Sequence, residues 1–201
     1  MKAIRIAVVV AAALMLSLGV SAQTYVVNAD GSTMAWVGEK VTGKHNGVIS
    51  LKDGVFSVEG DKMSGNFTVD MTSIVVKDIP MDNEYNGKLT GHLKSPDFFS
   101  VADHPEAKFE ITKVVPYKAK DGEEANYKVT GNLTIKGITH EISFPAMITM
   151  DGDSFSAKAT TSIDRSRWDI RYGSGSFFDN LGDKLIYDDF HLEINLVGSK
   201  G

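Results

Sequence analysis

The densest set of side chains able to act on a ligand lies in residues 165–180, RSRWDIRYGSGSFFDN. Arg165, Arg167 and Arg171 stand there among four aromatics, Trp168, Tyr172, Phe177 and Phe178. Guanidinium groups grip phosphate or carboxylate through paired N–H donors. Gly173-Ser174-Gly175, ahead of a turn of helix, can offer backbone N–H groups to an anion. The plainer reading is a tight loop that needs its glycines, with the arginines paired to Asp164, Asp169 and Asp179 and the aromatics packed as core or rim. Between the two lies a cationic rim over an apolar cavity.

Other chemistry is thinly represented. The five histidines, His45, His92, His104, His140 and His191, are too far apart for a metal pair at three- to five-residue spacing. There is no G-x-S-x-G elbow and no phosphate-binding P-loop. Asp188 and Asp189 are adjacent, but neighbours in a strand face opposite ways and cannot share one substrate. An envelope enzyme acting on a lipid or glycan would have to draw on His45, His92 or Asp164.

The chain has 201 residues and no cysteine, which excludes disulfides, thiolate metal sites and a cysteine nucleophile. Residues 1–22 open with Lys2 and Arg5, continue as an apolar run from Ile6 to Val20, and end in Ser21-Ala22. That is the pattern of a cleaved secretory signal peptide, and the run is shorter than the roughly 20 residues a spanning helix needs. Cleavage after Ala22 would leave residues 23–201 as one domain. Losing Lys2 and Arg5 takes the basic residues from 21 to 19, against 26 acidic ones, a net charge of −7. An acidic exported chain lacks the basic footprint of a nucleic-acid binder.

The elements that must position these groups are strands. Tyr127, Val129, Leu133 and Ile135 alternate with Lys128, Thr130, Asn132 and Thr134, the two-residue period of a half-buried strand. Phe190–Leu196, Phe155–Ile163, Phe67–Met71, Phe109–Thr112 and Ile142–Ile148 repeat it. Turn signals divide the runs at Asp30-Gly31, Asp53-Gly54, Glu59-Gly60-Asp61, Asp121-Gly122, Lys136-Gly137 and Asp151-Gly152-Asp153. Eight or nine strands at such spacing predict a sandwich or an up-and-down barrel. Asp82 to Ser95 reads helical, with Tyr85, Leu89 and Leu93 four residues apart and Pro96 as a stop, and Gly175 to Leu181 is expected to add one more turn of helix.

Three blocks, KLTGHLKSPDFFSVADHPEAKFEIT (88–112), VTGNLTIKGITHEISFPAMI (129–148) and IDRSRWDIRYGSG (163–175), together resemble the YceI-like family, over about Tyr25 to Ser199. The resemblance implies an all-β, lipocalin-like antiparallel β-barrel of about eight strands with one or two short helices. It implies a periplasmic protein that binds an isoprenoid lipid, a polyprenyl phosphate or a quinone, inside the barrel. Trp36, His45 and Gly47 stand roughly where the family carries an aromatic, a histidine and a glycine, while the residues around them depart from its commoner form.

Physical chemistry supports such a guest. An eight-stranded barrel is about the smallest that can hold one small ligand, and each buried CH₂ contributes roughly 0.8 kcal/mol. The expected pocket is Trp36, Phe67, Val69, Phe109, Ile111, Leu133, Phe144, Phe155, Trp168 and Phe178, with Arg165, Arg167 and Arg171 at its mouth. No cofactor and no catalysis are expected; the partners are the isoprenoid or quinone lipid and, transiently, a membrane surface. Two other arrangements share the alternation: a small outer-membrane barrel, whose apolar face points outward, and a structural barrel with a filled interior.

Overall fold

A computed structural model describes residues 22–201; the expected signal peptide lies outside the described residues save for Ala22. Nine strands follow in order: β1 (Gln23–Val27), β2 (Thr33–Lys40), β3 (Gly43–Glu59), β4 (Lys62–Val76), β5 (Glu106–Pro116), β6 (Tyr127–Ile135), β7 (Ile138–Asp151), β8 (Ser154–Asp164) and β9 (Ile186–Lys200). One helix, α1 (Glu84–Lys94), lies between β4 and β5.

All pairings are antiparallel, and they close on themselves. β2 pairs β9, the order then runs β9-β8-β7-β6-β5-β4, and β4 returns to β3, which pairs β2. β1 also lies between β3 and β9, opposite Val55–Val58 of β3, while β2 lies opposite Gly43–Ile49 of the same strand. β1 and β2 therefore share one position, and nine strands make an eight-position closed barrel. This is the lipocalin-like antiparallel architecture that the family resemblance implies, and of the two arrangements the strand spacing allows it is the barrel.

Alternation settles which way each face points. Along β6, Val129 and Ile135 are buried while Lys128 is exposed; along β9, His191 and Glu193 are exposed while Leu196 is buried. Apolar groups face the lumen and polar groups face out, the reverse of a lipid-embedded barrel.

The two ends differ. At the end carrying the β3–β4 and β7–β8 turns, Phe56 stacks on Phe155 with ring centroids 4.6 Å apart, and Tyr25 packs on Phe155 at 5.9 Å. These three rings close that end like a floor. At the other end the β4–β5 and β8–β9 connections fold over the barrel. Trp168, Ile170 and Ser174 of the β8–β9 connection are fully buried, and Phe98 and Val101 of the β4–β5 connection are buried as well.

Two expectations are corrected. Asp53-Gly54 is not a turn; it lies within β3, where the register against β4 shifts between Leu51 and Asp53. A side chain at Gly54 would meet the Phe67 ring at 2.8 Å, so the glycine serves packing across the sheet. Gly175 to Leu181 forms no regular helix, only a single turn in which the Phe177 and Phe178 N–H groups donate to the Ser174 carbonyl at 3.3 and 3.1 Å; the short 3₁₀ turns are Arg165–Trp168 and Gly182–Lys184. The first is capped by the Asp164 carboxylate, which accepts from the Ser166 N–H at 2.9 Å, so the sequence signal lay at the start of the loop. The helix expected over Asp82–Ser95 is α1, capped by Asn83, whose side chain accepts from the Tyr85 N–H.

Candidate ligand-binding cavity

Between floor and ceiling lies a cavity of about 230 Å³. Its wall is built from inward positions of most of the barrel strands, and only Lys158, Arg165 and Asp189 among its lining residues carry charge. Lys158 and Asp189 are exposed members of β8 and β9. The interior is thus apolar apart from Arg165.

Eight residues expected on the wall line this cavity together: Trp36, Phe67, Val69, Phe109, Ile111, Leu133, Phe144 and Phe155. Each occupies an inward position of a strand, so the two-residue period was sufficient to find them. Phe109 lies between Phe67 and Phe144, with centroids 6.5 and 5.6 Å away. Trp36 sits over Gly47, where any Cβ would come within 2.6 Å of the indole. The buried Trp36 Nε1 has no acceptor among the described residues.

The loop residues are placed differently. Trp168 is fully buried but does not line the cavity; it is packed beneath the loops, with Nε1 donating to the Leu133 carbonyl at 3.1 Å and its ring edge-on to His140. Phe178 is half exposed on the outer face of the β8–β9 connection. Arg167 is exposed, donates to the Glu141 carbonyl at 3.0 Å and lies over the Trp168 ring. Arg171 is exposed, paired with Asp169 and stacked over Phe177. Those two cations do not reach the lumen, because their strand-terminal loop turns them onto its own outer surface.

Of the three arginines Arg165 alone reaches the cavity, and three of its five N–H donors are engaged by backbone carbonyls. Nη1 donates to the Ile170 carbonyl at 2.7 Å, Nη2 to the Ile186 carbonyl at 3.1 Å, and Nε to the Tyr187 carbonyl at 3.3 Å. Asp188 approaches Nη2 at 3.3 Å, and the guanidinium lies over the Phe98 ring. Burial pushes the Arg165 pKa down and the Asp188 charge partly restores it. Arg165 is therefore a clamp that holds the β8–β9 connection across the barrel end.

Several wall residues escaped the sequence reading. Phe56 lies beyond the bulge at Asp53, which moves inward positions from odd to even numbers, and Phe98 and Phe99 lie in a loop with no period at all. The side chains that an enzyme would need do not converge. His45 pairs with Asp78 at 2.8 Å, His92 lies 3.6 Å from Asp97 and edge-on to Tyr172, and Asp164 caps its own loop. Among the described residues no group of three or more His, Asp or Glu could hold a metal.

A closed antiparallel barrel with a sealed floor and an apolar interior defines a protein built around a hollow core, able to take in a hydrophobic guest. The model of the YceI-like domain matches residues 25–198, and the chain belongs to that family. A UPF0312 protein of Vibrio parahaemolyticus is 28% identical over 176 residues, 84% of this chain and 89% of that one. A UPF0312 protein of Pectobacterium carotovorum is 32% identical over 101 residues, 50% of this chain and 47% of its own; the match thus spans about half the length of that relative. BcnA of Burkholderia cenocepacia has the same fold, with a TM-score of 0.62 at 20% identity over 85% of this chain and 98% of that one. So does a polyisoprenoid binding domain from Saccharophagus degradans, with a TM-score of 0.59 at 12% identity over 88% and 98%.

Proposed function

We propose that this protein is a periplasmic binding protein that holds an uncharged isoprenoid-type lipid in its lumen, for sequestration or transport, without chemical conversion. The apolar cavity carries the reading: a prenyl chain gains about 0.8 kcal/mol per buried CH₂-sized group and needs no polar partner on the wall. The structural likeness to a domain described as polyisoprenoid binding supports it. Of the two head groups under consideration, the quinone type is favoured over the phosphate. A phosphate needs free cationic donors, and the one arginine that reaches the cavity among the described residues has three of its five N–H groups on the Ile170, Ile186 and Tyr187 carbonyls and its charge opposed by Asp188.

Loading and unloading call for transient contact with a membrane surface. The exposed aromatics Tyr85, Tyr172, Phe177 and Phe178 belong to the connections at the ceiling end, and the exposed Tyr187 is the second residue of β9; amphipathic rings suit the membrane interface. The test is lipid extraction from protein purified out of its native host, followed by mass spectrometry. A co-purifying prenyl lipid with a neutral head group is expected. A polyprenyl phosphate would overturn the head-group assignment, and protein free of lipid that takes up no prenyl compound would overturn the function. Release by osmotic shock with other periplasmic proteins is the expected fractionation.

A further inference from the structure

The exposed apolar side chains are not spread evenly over the molecule. Ten large ones stand exposed among the described residues, and seven of them lie at the ceiling end. Val41 belongs to the β2–β3 turn, Met81 and Tyr85 flank the start of α1, Tyr172, Phe177 and Phe178 belong to the β8–β9 connection, and Tyr187 is the second residue of β9. The other three are valines of the side wall. Met81, at 82%, and Tyr85, at 62%, are the most exposed of the ten. The connections that carry the seven are stitched together. The Val41 N–H donates to the Leu185 carbonyl at 3.1 Å, and the His92 ring of α1 stands edge-on to Tyr172 with centroids 4.4 Å apart. Tyr187 both lines the cavity and is exposed, so this apolar face adjoins the opening of the lumen.

The charges at this end decide what kind of surface it fits. Lys88 is paired with Glu84 at 3.0 Å, Arg171 with Asp169, and Arg165 with Asp188. Lys40, Lys44, Lys77 and Lys184 stand here too, and so do Asp82, Asp179, Asp183 and Asp189. Cations are not in excess, and the whole chain holds 26 acidic against 21 basic residues, so an anionic surface exerts no net attraction. We propose that the ceiling end docks on a zwitterionic phospholipid bilayer by inserting apolar tips, chiefly Met81 and Phe178, with the tyrosine rings at headgroup level. Methionine and phenylalanine gain by leaving water, and tyrosine joins an apolar ring to a hydroxyl that stays wet. On the lipid-binding reading above, on which its use rests, this docking turns the open end of the barrel to the membrane that supplies or receives the guest.

The experiment sediments the protein with phosphatidylcholine vesicles at low and at high salt, and with vesicles in which part of that lipid is replaced by phosphatidylglycerol. Binding to the zwitterionic vesicles at both salt concentrations is expected, with no gain from phosphatidylglycerol. Binding that needs phosphatidylglycerol and is released by salt would overturn insertion as the driving force. Uptake of a short-chain prenyl quinone by the same protein is measured in parallel. Uptake without binding to any vesicle removes the docking face alone, and vesicle binding without uptake removes the lipid-binding reading alone.

Variants locate the face. Met81→Ser and Phe178→Ser, both at exposed positions, should each weaken vesicle binding about fivefold or more, while Val55→Thr on the side wall should leave it unchanged. Undiminished binding by the double variant Met81→Ser/Phe178→Ser would overturn the assignment. The chain has no cysteine, so Met81→Cys or Val55→Cys gives a single site for an environment-sensitive dye. Vesicles should shift the emission of the Met81→Cys label to the blue and leave that of Val55→Cys in place; equal responses would sink the orientation. Sedimentation velocity tests the rival occupant. A concentration-dependent dimer of the native protein that the double variant abolishes would give this face to a second copy and defeat the bilayer assignment.

Discussion

Arg165 turns its hydrogen-bonding capacity towards the protein itself, and that distinguishes it from the two other arginines in its loop. Its side chain is only 4% exposed, with three carbonyls and the Asp188 carboxylate around it. Arg165→Met should lower stability by about 3 kcal/mol, because it leaves three carbonyls and the buried Asp188 Oδ1 without their cation; a urea titration will show the midpoint fall. Arg171→Ala, which breaks an exposed pair with Asp169, should cost no more than about 1 kcal/mol. Sequence spacing could rank the arginines by density but not by direction, since direction depends on which carbonyls the β8–β9 connection brings near. Asp78 shows a second effect at this scale. Burial alone would raise its pKa, but hydrogen bonds from the Asn46 N–H and from His45 outweigh burial and hold it below the usual carboxylate range. A group depressed in the folded state contributes its full stabilisation above about pH 4 and loses it as acid drives the pH through the folded value. Asp78→Asn should therefore be less stable than the native chain at pH 7, with the gap narrowing below about pH 4 in melts run across that range.

The strands were legible from alternation, and so was the helix from its four-residue spacing and proline stop. What escaped was every place where a second strand overrules the local pattern. Asp53-Gly54 has the composition of a turn, yet β3 passes straight through it because β4 supplies partners on both sides of the bulge. Gly47 gives the clearest case of an element constrained by its neighbour. A Cβ there would lie 1.9 Å from the Val75 carbonyl oxygen as well as against Trp36. Gly47→Ala should cost about 3 kcal/mol, the upper part of the range for overpacking. Gly38→Ala meets no atom and should be neutral or gain about 0.5–1 kcal/mol, because glycine weakens a strand interior. Paired urea midpoints for the two variants test the contrast. Helix α1 buries only Asn86, whose amide donates to the Val76 and Ile79 carbonyls. Its amides should exchange with deuterium well before those of β6 to β9, which are paired on both sides.

At the scale of the whole molecule, closure explains why so much of the cavity wall could be picked out in advance. Once eight positions form a ring, every inward side chain must face the same small space, so a list of inward apolar residues becomes a list of wall residues. Closure also explains what stayed hidden. The floor joins Tyr25, Phe56 and Phe155 from three strands distant in sequence, and the ceiling takes Phe98 and Trp168 from loops. The two tryptophans of the chain fall on opposite sides of this arrangement: Trp36 on the cavity wall, Trp168 sealed under the loops. The molecule thus carries its own optical gauge, one indole that senses a tenant and one that serves as reference. An apolar guest should shift tryptophan emission in the native chain and in Trp168→Phe, and leave Trp36→Phe unchanged, so occupancy can be followed without any dye.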